Sequence, residues 1–373
     1  MNITRQLGML LVSVSAIGGE VPFSSWMGNP DALLLWDFSG TLRPTFGYSS
    51  NPTLAPDRFK QGAYFSHFGA DALLFRIPTG DNSFNLVWSG DDTRYFGSSP
   101  VNTDQLFVTQ ANYAYKHDES WSLTLRGQHV FINQVIDLSS EDLGIGIGRA
   151  KGHTLMAQPG IKYQLDSHWW VEAQEYTSRQ LYQSPLDDFW EYATQAIVGY
   201  RLANASSITA SYTHTWRIFD DSPLLTPSRE LLPGTNTRTQ NDGVELRWRQ
   251  NWDQAKVWST TLRSFIVKSH DNGLGYYDYH RWGTSASLRW NNDPWKVELI
   301  GRYVPYFYDD QLIAPDEAVT RQREEWSWEL QIQYAIRKHL SLTASYEYQY
   351  SSGNYGPDNF SAQTVQAGVE WSF

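Results

Sequence analysis

The chain has 373 residues, with 17 Trp and 22 Tyr among a 15% aromatic content, yet its mean hydropathy is −0.49 and no long apolar run occurs, which excludes a helical membrane protein. The absence of Cys removes disulfides, thiolate nucleophiles and zinc-thiolate sites together. With 40 acidic against 29 basic residues and a net charge of −11, a bulk positive field that would hold nucleic acid is excluded as well.

The first residues predict a secretory signal peptide over 1–20. Arg5 precedes an apolar stretch, Leu7 to Val14, which ends in the small residues Ser15, Ala16 and Gly18. The competing reading of the same stretch is an ordinary buried N-terminal strand or helix turn.

After Ser39 nearly every segment alternates apolar and polar residues for about ten to fourteen positions, then breaks at Gly, Pro, Asn, Asp or Ser. Period two means strands with two unlike faces. Such strands are expected at 39–49, 63–77, 83–97, 104–117, 121–134, 153–165, 169–182, 190–202, 207–219, 239–251, 256–270, 278–291, 295–308, 323–336, 339–350 and 360–373, a count of 16. The pattern is plain in Ile208, Ala210, Tyr212 and Trp216 against Thr209, Ser211, Thr213 and Arg217. It recurs in Leu342, Ala344, Tyr346, Tyr348 and Tyr350 against Thr343, Ser345, Glu347 and Gln349. Strands of a soluble sandwich average about five or six residues; these have the length that a tilted strand needs to cross a bilayer.

The connections alternate between short ones, such as Thr79–Asn82, Asp118–Ser120 and Asn292–Pro294, and longer ones at 50–62, 98–103, 135–152, 183–189, 220–238, 271–277, 309–322 and 351–359. The expected fold is therefore all-β: a single transmembrane antiparallel up-and-down barrel over 21–373, with short periplasmic turns and longer outer loops. Aromatic residues gather where strands meet turns, at Trp121, Trp169, Trp282, Trp290, Trp295 and Trp326, and with Trp371 and Phe373 they predict interfacial girdles.

If one row of each strand faces lipid, the other faces the lumen, and that row has a sign. It carries Lys162, Arg201, Arg217, Arg247, Arg249, Arg263, Arg281, Arg289, Lys296 and Arg302 on the middle strands, with Glu298 among them. The last strands turn acidic, with Glu329, Glu347 and Glu370. Arg is a planar donor fork suited to carboxylate, phosphate and sugar oxygens, so the basic column predicts a path for anionic or hydroxyl-rich solutes. The competing expectation is that these Arg residues pair with neighbouring Glu and simply fill the lumen. Two connections, 135–152 with Gly144, Gly146 and Gly148, and 220–238 with Pro223, Pro227 and Pro233, are candidates for a loop that narrows the opening. The nine His show no paired ligand spacing, and no nucleophile motif frames His129, His214 or His280. No catalytic residue, metal or cofactor is expected. A lipid-modifying barrel enzyme and a plugged structural barrel remain the alternatives to a channel.

The architecture over 35–373 resembles the bacterial outer-membrane porins, which implies outer-membrane lipid and lipopolysaccharide as surroundings. The amphipathic last strand ending on Phe373 resembles the recognition signal of the outer-membrane barrel assembly machinery, which implies that machinery as a partner. The segment Phe46–Gly47–Tyr48–Ser49–Ser50–Asn51–Pro52–Thr53–Leu54 looks like the Gly-Tyr-x-Ser-Asn-Pro opening of porins found with exopolysaccharide secretion systems. That likeness implies passage of a secreted polysaccharide. Unlike cellulose and poly-N-acetylglucosamine exporters, this sequence carries no N-terminal helical repeat, so the likeness also implies a separate periplasmic export partner.

Overall fold

The structure, a computed structural model, describes residues 36–97, 101–137 and 147–373. The signal peptide expected over 1–20 lies outside the described residues.

Sixteen strands close into one antiparallel barrel. The first eight are β1 (Trp36–Ser49), β2 (Ala63–Thr79), β3 (Asn82–Phe96), β4 (Thr103–Lys116), β5 (Trp121–Asp137), β6 (Ile147–Gln164), β7 (Trp169–Tyr182) and β8 (Phe189–Arg201). After β9 (Ser207–Phe219) the chain makes a small separate hairpin, β10 (Leu224–Leu225) with β11 (Leu231–Leu232). The barrel resumes with β12 (Arg238–Asn251), β13 (Trp258–Asp271), β14 (Tyr279–Asn292), β15 (Trp295–Leu312), β16 (Thr320–Arg337), β17 (Leu340–Gly353) and β18 (Phe360–Ser372). Each strand pairs with its sequence neighbour, β9 with β12, and β1 with β18. The strands β5, β6, β15 and β16 run several residues further at the long-loop end than their alternation indicates, and the β10–β11 hairpin carries no periodic signal of its own.

The first and last strands of the barrel meet with β1 beginning and β18 finishing at the short-turn end, where the seam is closed by reciprocal backbone bonds. Gly40 N–H donates to the Phe373 carbonyl at 2.9 Å, and Phe373 N–H returns to the Gly40 carbonyl at 3.0 Å. The Phe373 ring covers Gly40 so closely that a Cβ there would sit 2.6 Å from the ring. A side chain at this position would push the ring off the seam.

Three of the short turns share a device. The Asp118 carboxylate accepts the N–H groups of Ser120 and Trp121, both at 2.7 Å, and Asp166 accepts those of His168 and Trp169, both at 2.7 Å. Asp253 accepts from Val257 and Trp258, both at 2.9 Å. An Asp that bonds the backbone two or more residues on is an ordinary turn former, and here each one orients the Trp that starts the next strand. The backbone donors hold all three carboxyls below the ordinary Asp range.

Two predictions follow from the seam and the turns. Gly40→Val should destabilise the closed barrel by about 1–3 kcal/mol, the usual range for overpacking, read as a lower temperature for loss of heat-modifiable electrophoretic migration; unchanged migration refutes the seam contact. Because the folded carboxyls titrate below the unfolded value of about 3.9, their contribution is fully present above that value and is lost as pH falls through the lower folded one. The unfolding temperature in detergent should therefore stay level from neutral pH to about 5 and fall only in stronger acid, with a shallower fall when Asp118, Asp166 and Asp253 are all changed to Asn.

Candidate functional site: an outer constriction above a charged inner wall

One contact decides which face of each strand points inward. Asp137 on β5 forms an ion pair with Arg323 on β16, and those strands stand seven steps apart around the ring. Such a pair can meet only across the interior, so the Arg323 row faces in, whereas Asp137, on the Trp121 row of β5 by alternation, reaches it because the tip of β5 leans inward. Directly opposed partners in a sheet share a face, and the register carries the assignment round the barrel. It passes from Tyr306 beside Arg323 through Arg302 to Ser285, Arg263 and Arg247, and on through Thr209, and by its strand to Arg217 beside Glu191.

By that register Lys162, Arg201, Arg217, Arg247, Arg249, Arg263, Arg281, Arg289, Lys296, Glu298, Arg302, Glu329 and Glu347 all have inward-pointing side chains. Several are paired: Arg217 with Glu191, Arg263 and Arg247 with Glu245 at 2.6 and 3.0 Å, and Arg289 with Glu298 at 2.9 Å. Arg201 donates to Gln164 at 2.9 Å, Arg281 to the Tyr306 hydroxyl at 3.1 Å, and the Lys162 ammonium lies 4.2 Å above the Trp170 ring. Among the described residues the side chains of Arg249, Lys296 and Arg302 make no hydrogen bond or ion pair. On the acidic side, Gln331, Gln349 and Gln333 donate to Glu329, Glu347 and Glu370, each at 2.8 Å.

At the long-loop end the opening narrows. The end of β5 and the start of β6 lean across the ring: Ile147 packs on Leu54, Phe360 and Ala362, while Asp137 reaches Arg323. Arg323 is also held by Glu325 and by the Ser351 hydroxyl at 3.0 Å. Two residues earlier, Arg321 makes a forked pair with Asp358 and donates to Gln311 at 3.0 Å, and its side chain is 0% exposed. Tyrosine rings interleave with these guanidiniums. Arg281 and Arg323 lie 5.3 and 5.6 Å from Tyr306, and Arg321 lies 4.8 Å from Tyr308.

The connection after β9 also crosses part of the mouth. From it Arg229 donates to the Tyr355 hydroxyl at 3.0 Å and to the carbonyls of Leu312 and Ile313, both at 3.1 Å, and Leu312 N–H donates to the Pro227 carbonyl at 3.2 Å. These contacts tie a loop between β9 and β12 to the far ends of β15 and β17. Of the other expected constriction, 138–146, with Gly144 and Gly146, lie outside the described residues; its flanks are the ends of β5 and β6, Gly148 included.

Arg321, Asp137 and Asp358 stand in segments that read as connections and Arg323 is the first residue of an expected strand; none of the four was singled out by the sequence. Arg321 and Asp358 are 37 residues apart and Arg323 and Asp137 are 186 apart, so no local spacing announces these two pairs. The signal available was an Arg two and four residues ahead of the clear alternation that begins at Glu325.

On the outside, the aromatic residues at strand ends are grouped in pairs. Trp121 stacks near Tyr163 at 4.4 Å, Trp169 near Tyr200 and Trp295 near Tyr334, both at 4.7 Å, Trp290 near Trp258 at 6.0 Å and Trp371 near Phe373 at 5.3 Å, all at the short-turn end. Trp282 and Trp326 flank Tyr303 at the other end, at 5.4 and 4.2 Å. Between the two belts stand Leu125, Val244, Leu246 and Ile266, each at least half exposed. A closed sheet with polar groups inside and such an apolar band outside is suited to hydrocarbon, not water; the chain is a membrane-spanning β-barrel.

His129 contacts His153 at 3.1 Å, His214 contacts Asp242 at 2.7 Å and His280 contacts Asp309 at 3.1 Å, all on the outer face. Among the described residues no group of three or more metal-ligating side chains comes together.

No protein-family model matches the chain, and no curated protein matches it. Solved structures similar to it include OccAB1 of Acinetobacter baumannii, 11% identical with a TM-score of 0.49 over 91% of this chain and 97% of that one. A BenF-like porin from Pseudomonas fluorescens is 11% identical with a TM-score of 0.49 over 90% of this chain and 98% of that one. OpdO of Pseudomonas aeruginosa is 13% identical with a TM-score of 0.45 over 91% and 97%.

Removing Asp137 takes away the tie across the ring and leaves Arg323 with Glu325 as its carboxylate partner. Asp137→Ala should therefore free the β5–β6 end from β16 and raise single-channel conductance with added current noise in a planar bilayer; conductance equal to the unaltered protein overturns the tie across the ring.

Proposed function

We propose that the chain is an outer-membrane channel that passes hydrophilic solutes, anionic and hydroxyl-rich ones foremost, through a lumen whose wall is basic on β12–β15. The observation that carries this reading is the contrast between two sets of charges. The inward Arg247, Arg263 and Arg289 side chains are 40–44% exposed, whereas Arg321 and Arg323 at the constriction are at most 1% exposed. Ion pairs that water reaches are worth about 0–1 kcal/mol. A passing carboxylate, phosphate or sulfate can replace Glu245 or Glu298 on these guanidiniums at little cost. On the acidic side the Gln side chains that donate to Glu329, Glu347 and Glu370 soften the opposing charge. The lumen then carries a transverse field that favours anions on one wall. The long-loop end with its constriction faces outward and the short turns face the periplasm, as in barrels of this class.

The same reading takes lipopolysaccharide and outer-membrane lipid as the surroundings of the Trp belts, and the assembly machinery as the partner of Phe373. Secretion of exopolysaccharide, with a periplasmic export partner, draws less support. Within the segment on which that likeness rests, Asn51 is fully buried, donates to the carbonyls of Ala55 and Ser361 at 2.7 and 3.0 Å, and accepts the Ala55 N–H at 3.0 Å. This fastens the first outer loop to β18, which is a structural task sufficient in itself for an Asn-Pro turn.

The purified barrel in a planar bilayer under a salt gradient should give a reversal potential on the anion-selective side. Changing Arg247, Arg249 and Arg289 to Glu should move it towards cations. Cation preference of the unaltered protein defeats the assignment, and absence of any conductance points to an enzyme or a plugged barrel.

A further inference from the structure

Opposite the basic wall, the inner surface of β3–β7 contains a cavity of about 260 Å³ lined by amides. Its spine is a single cross-strand row: Asn85 is opposed to Asn112, Asn112 to Arg126, and Arg126 to Gln158. Asn112 donates to the Asn85 carbonyl oxygen at 2.7 Å; Arg126 donates through Nε to Asn112 at 3.2 Å and through Nη1 to Gln158 at 3.3 Å. Gln158 in turn donates to Gln174, and Gln174 to Glu172. Each planar side chain is thereby oriented by its neighbour before any solute arrives. Among the described residues, the Asn85 amide nitrogen and Arg126 Nη2 have no hydrogen-bond partner.

Space beside the row is kept by Gly160, where a Cβ would lie 2.6 Å from the Thr124 hydroxyl and 3.2 Å from Gln174. All of this lies in the short-turn half of the lumen, below the constriction.

The chemistry of the wall selects for neutral hydroxyls. Among the residues that line the cleft the cation Arg126 is balanced by the anion Glu172, so a passing anion gains little there. Amides and the Thr124 hydroxyl offer donors and acceptors side by side, as a sugar hydroxyl requires of its surroundings, since it both gives and takes a hydrogen bond. At ~4.8 Å per strand step the four-strand row is roughly 14 Å long, enough to meet successive hydroxyls of a linear saccharide. We propose that this cleft is a saccharide subsite of the pore, holding a neutral linear oligosaccharide against the amide wall. The proposal deepens the channel reading and rests on it.

The test is blockade of the open channel by maltohexaose in a planar bilayer, with each variant's folded state read separately by heat-modifiable migration. The unaltered protein should show concentration-dependent interruptions of current. Loss of two neutral hydrogen-bonding side chains in Asn112→Ala/Gln158→Ala should weaken the blocking constant about tenfold, while Ile266→Ala on the outer apolar band should leave the blocking constant within about twofold, less than a single net hydrogen bond is worth. If the double variant does not fold, Thr124→Val removes a cleft hydroxyl without disturbing the amide row and should weaken blockade in the same direction. Conductance without any interruption by maltohexaose overturns the subsite alone; blockade of equal strength in the folded cleft variants overturns its location; no conductance at all overturns the channel reading and the subsite with it.

Discussion

Hydrocarbon offers no partner to a backbone N–H or carbonyl, and every other feature of this molecule answers to that fact. Sixteen strands must close on one another because an open edge would leave a row of unpaired groups in lipid. Closure fixes an inside and an outside, and the two-residue period of the strand then divides the side chains between them. Leu, Val and Ile with two belts of Trp and Tyr take the outside, and Arg, Glu, Gln and Asn take the inside. The Gly40–Phe373 contact is the local form of the same constraint: at the last join, where the strands finish, a ring lies over a residue small enough to be covered.

Inside the ring, charge is used in two ways that burial separates. The pairs between Arg289 and Glu298, or Arg263 and Glu245, stand in water and contribute little to the fold. The pairs of Arg323 with Asp137 and Arg321 with Asp358 are sealed from water and hold the narrowed mouth in place. The interleaved Tyr306, Tyr308 and Tyr355 rings cover these guanidiniums and add cation–π contact. The lumen is therefore rigid where it narrows and exchangeable where it is wide.

Much of this was legible in the sequence, and the limit has a physical cause. Alternation identified the strands because membrane strands carry unlike faces throughout, and it placed Arg247, Arg289 and Glu298 on the inner row without any coordinates. It failed where the two faces cease to differ. At the upper ends of β5 and β6, Ile132, Gln134, Ile136 and Ala150 are buried beneath the leaning hairpin, so the polar and apolar code of a lipid-to-water strand no longer applies. The same holds for Arg321 and Tyr276, both fully buried among contacts from distant strands. A residue whose partner is set by closure of the whole ring leaves no mark at short range. The amide row on β3–β7 was visible as polar residues, but its alignment depends on inter-strand register, which a list of strands does not supply.

The bond between Asp137 and Arg323 joins positions 186 residues apart on strands nearly opposite in the ring. Closing so long a stretch of chain carries an entropic cost. The pair needs both halves of the ring in place, so the narrowed mouth is a property of the closed barrel and of no single hairpin within it.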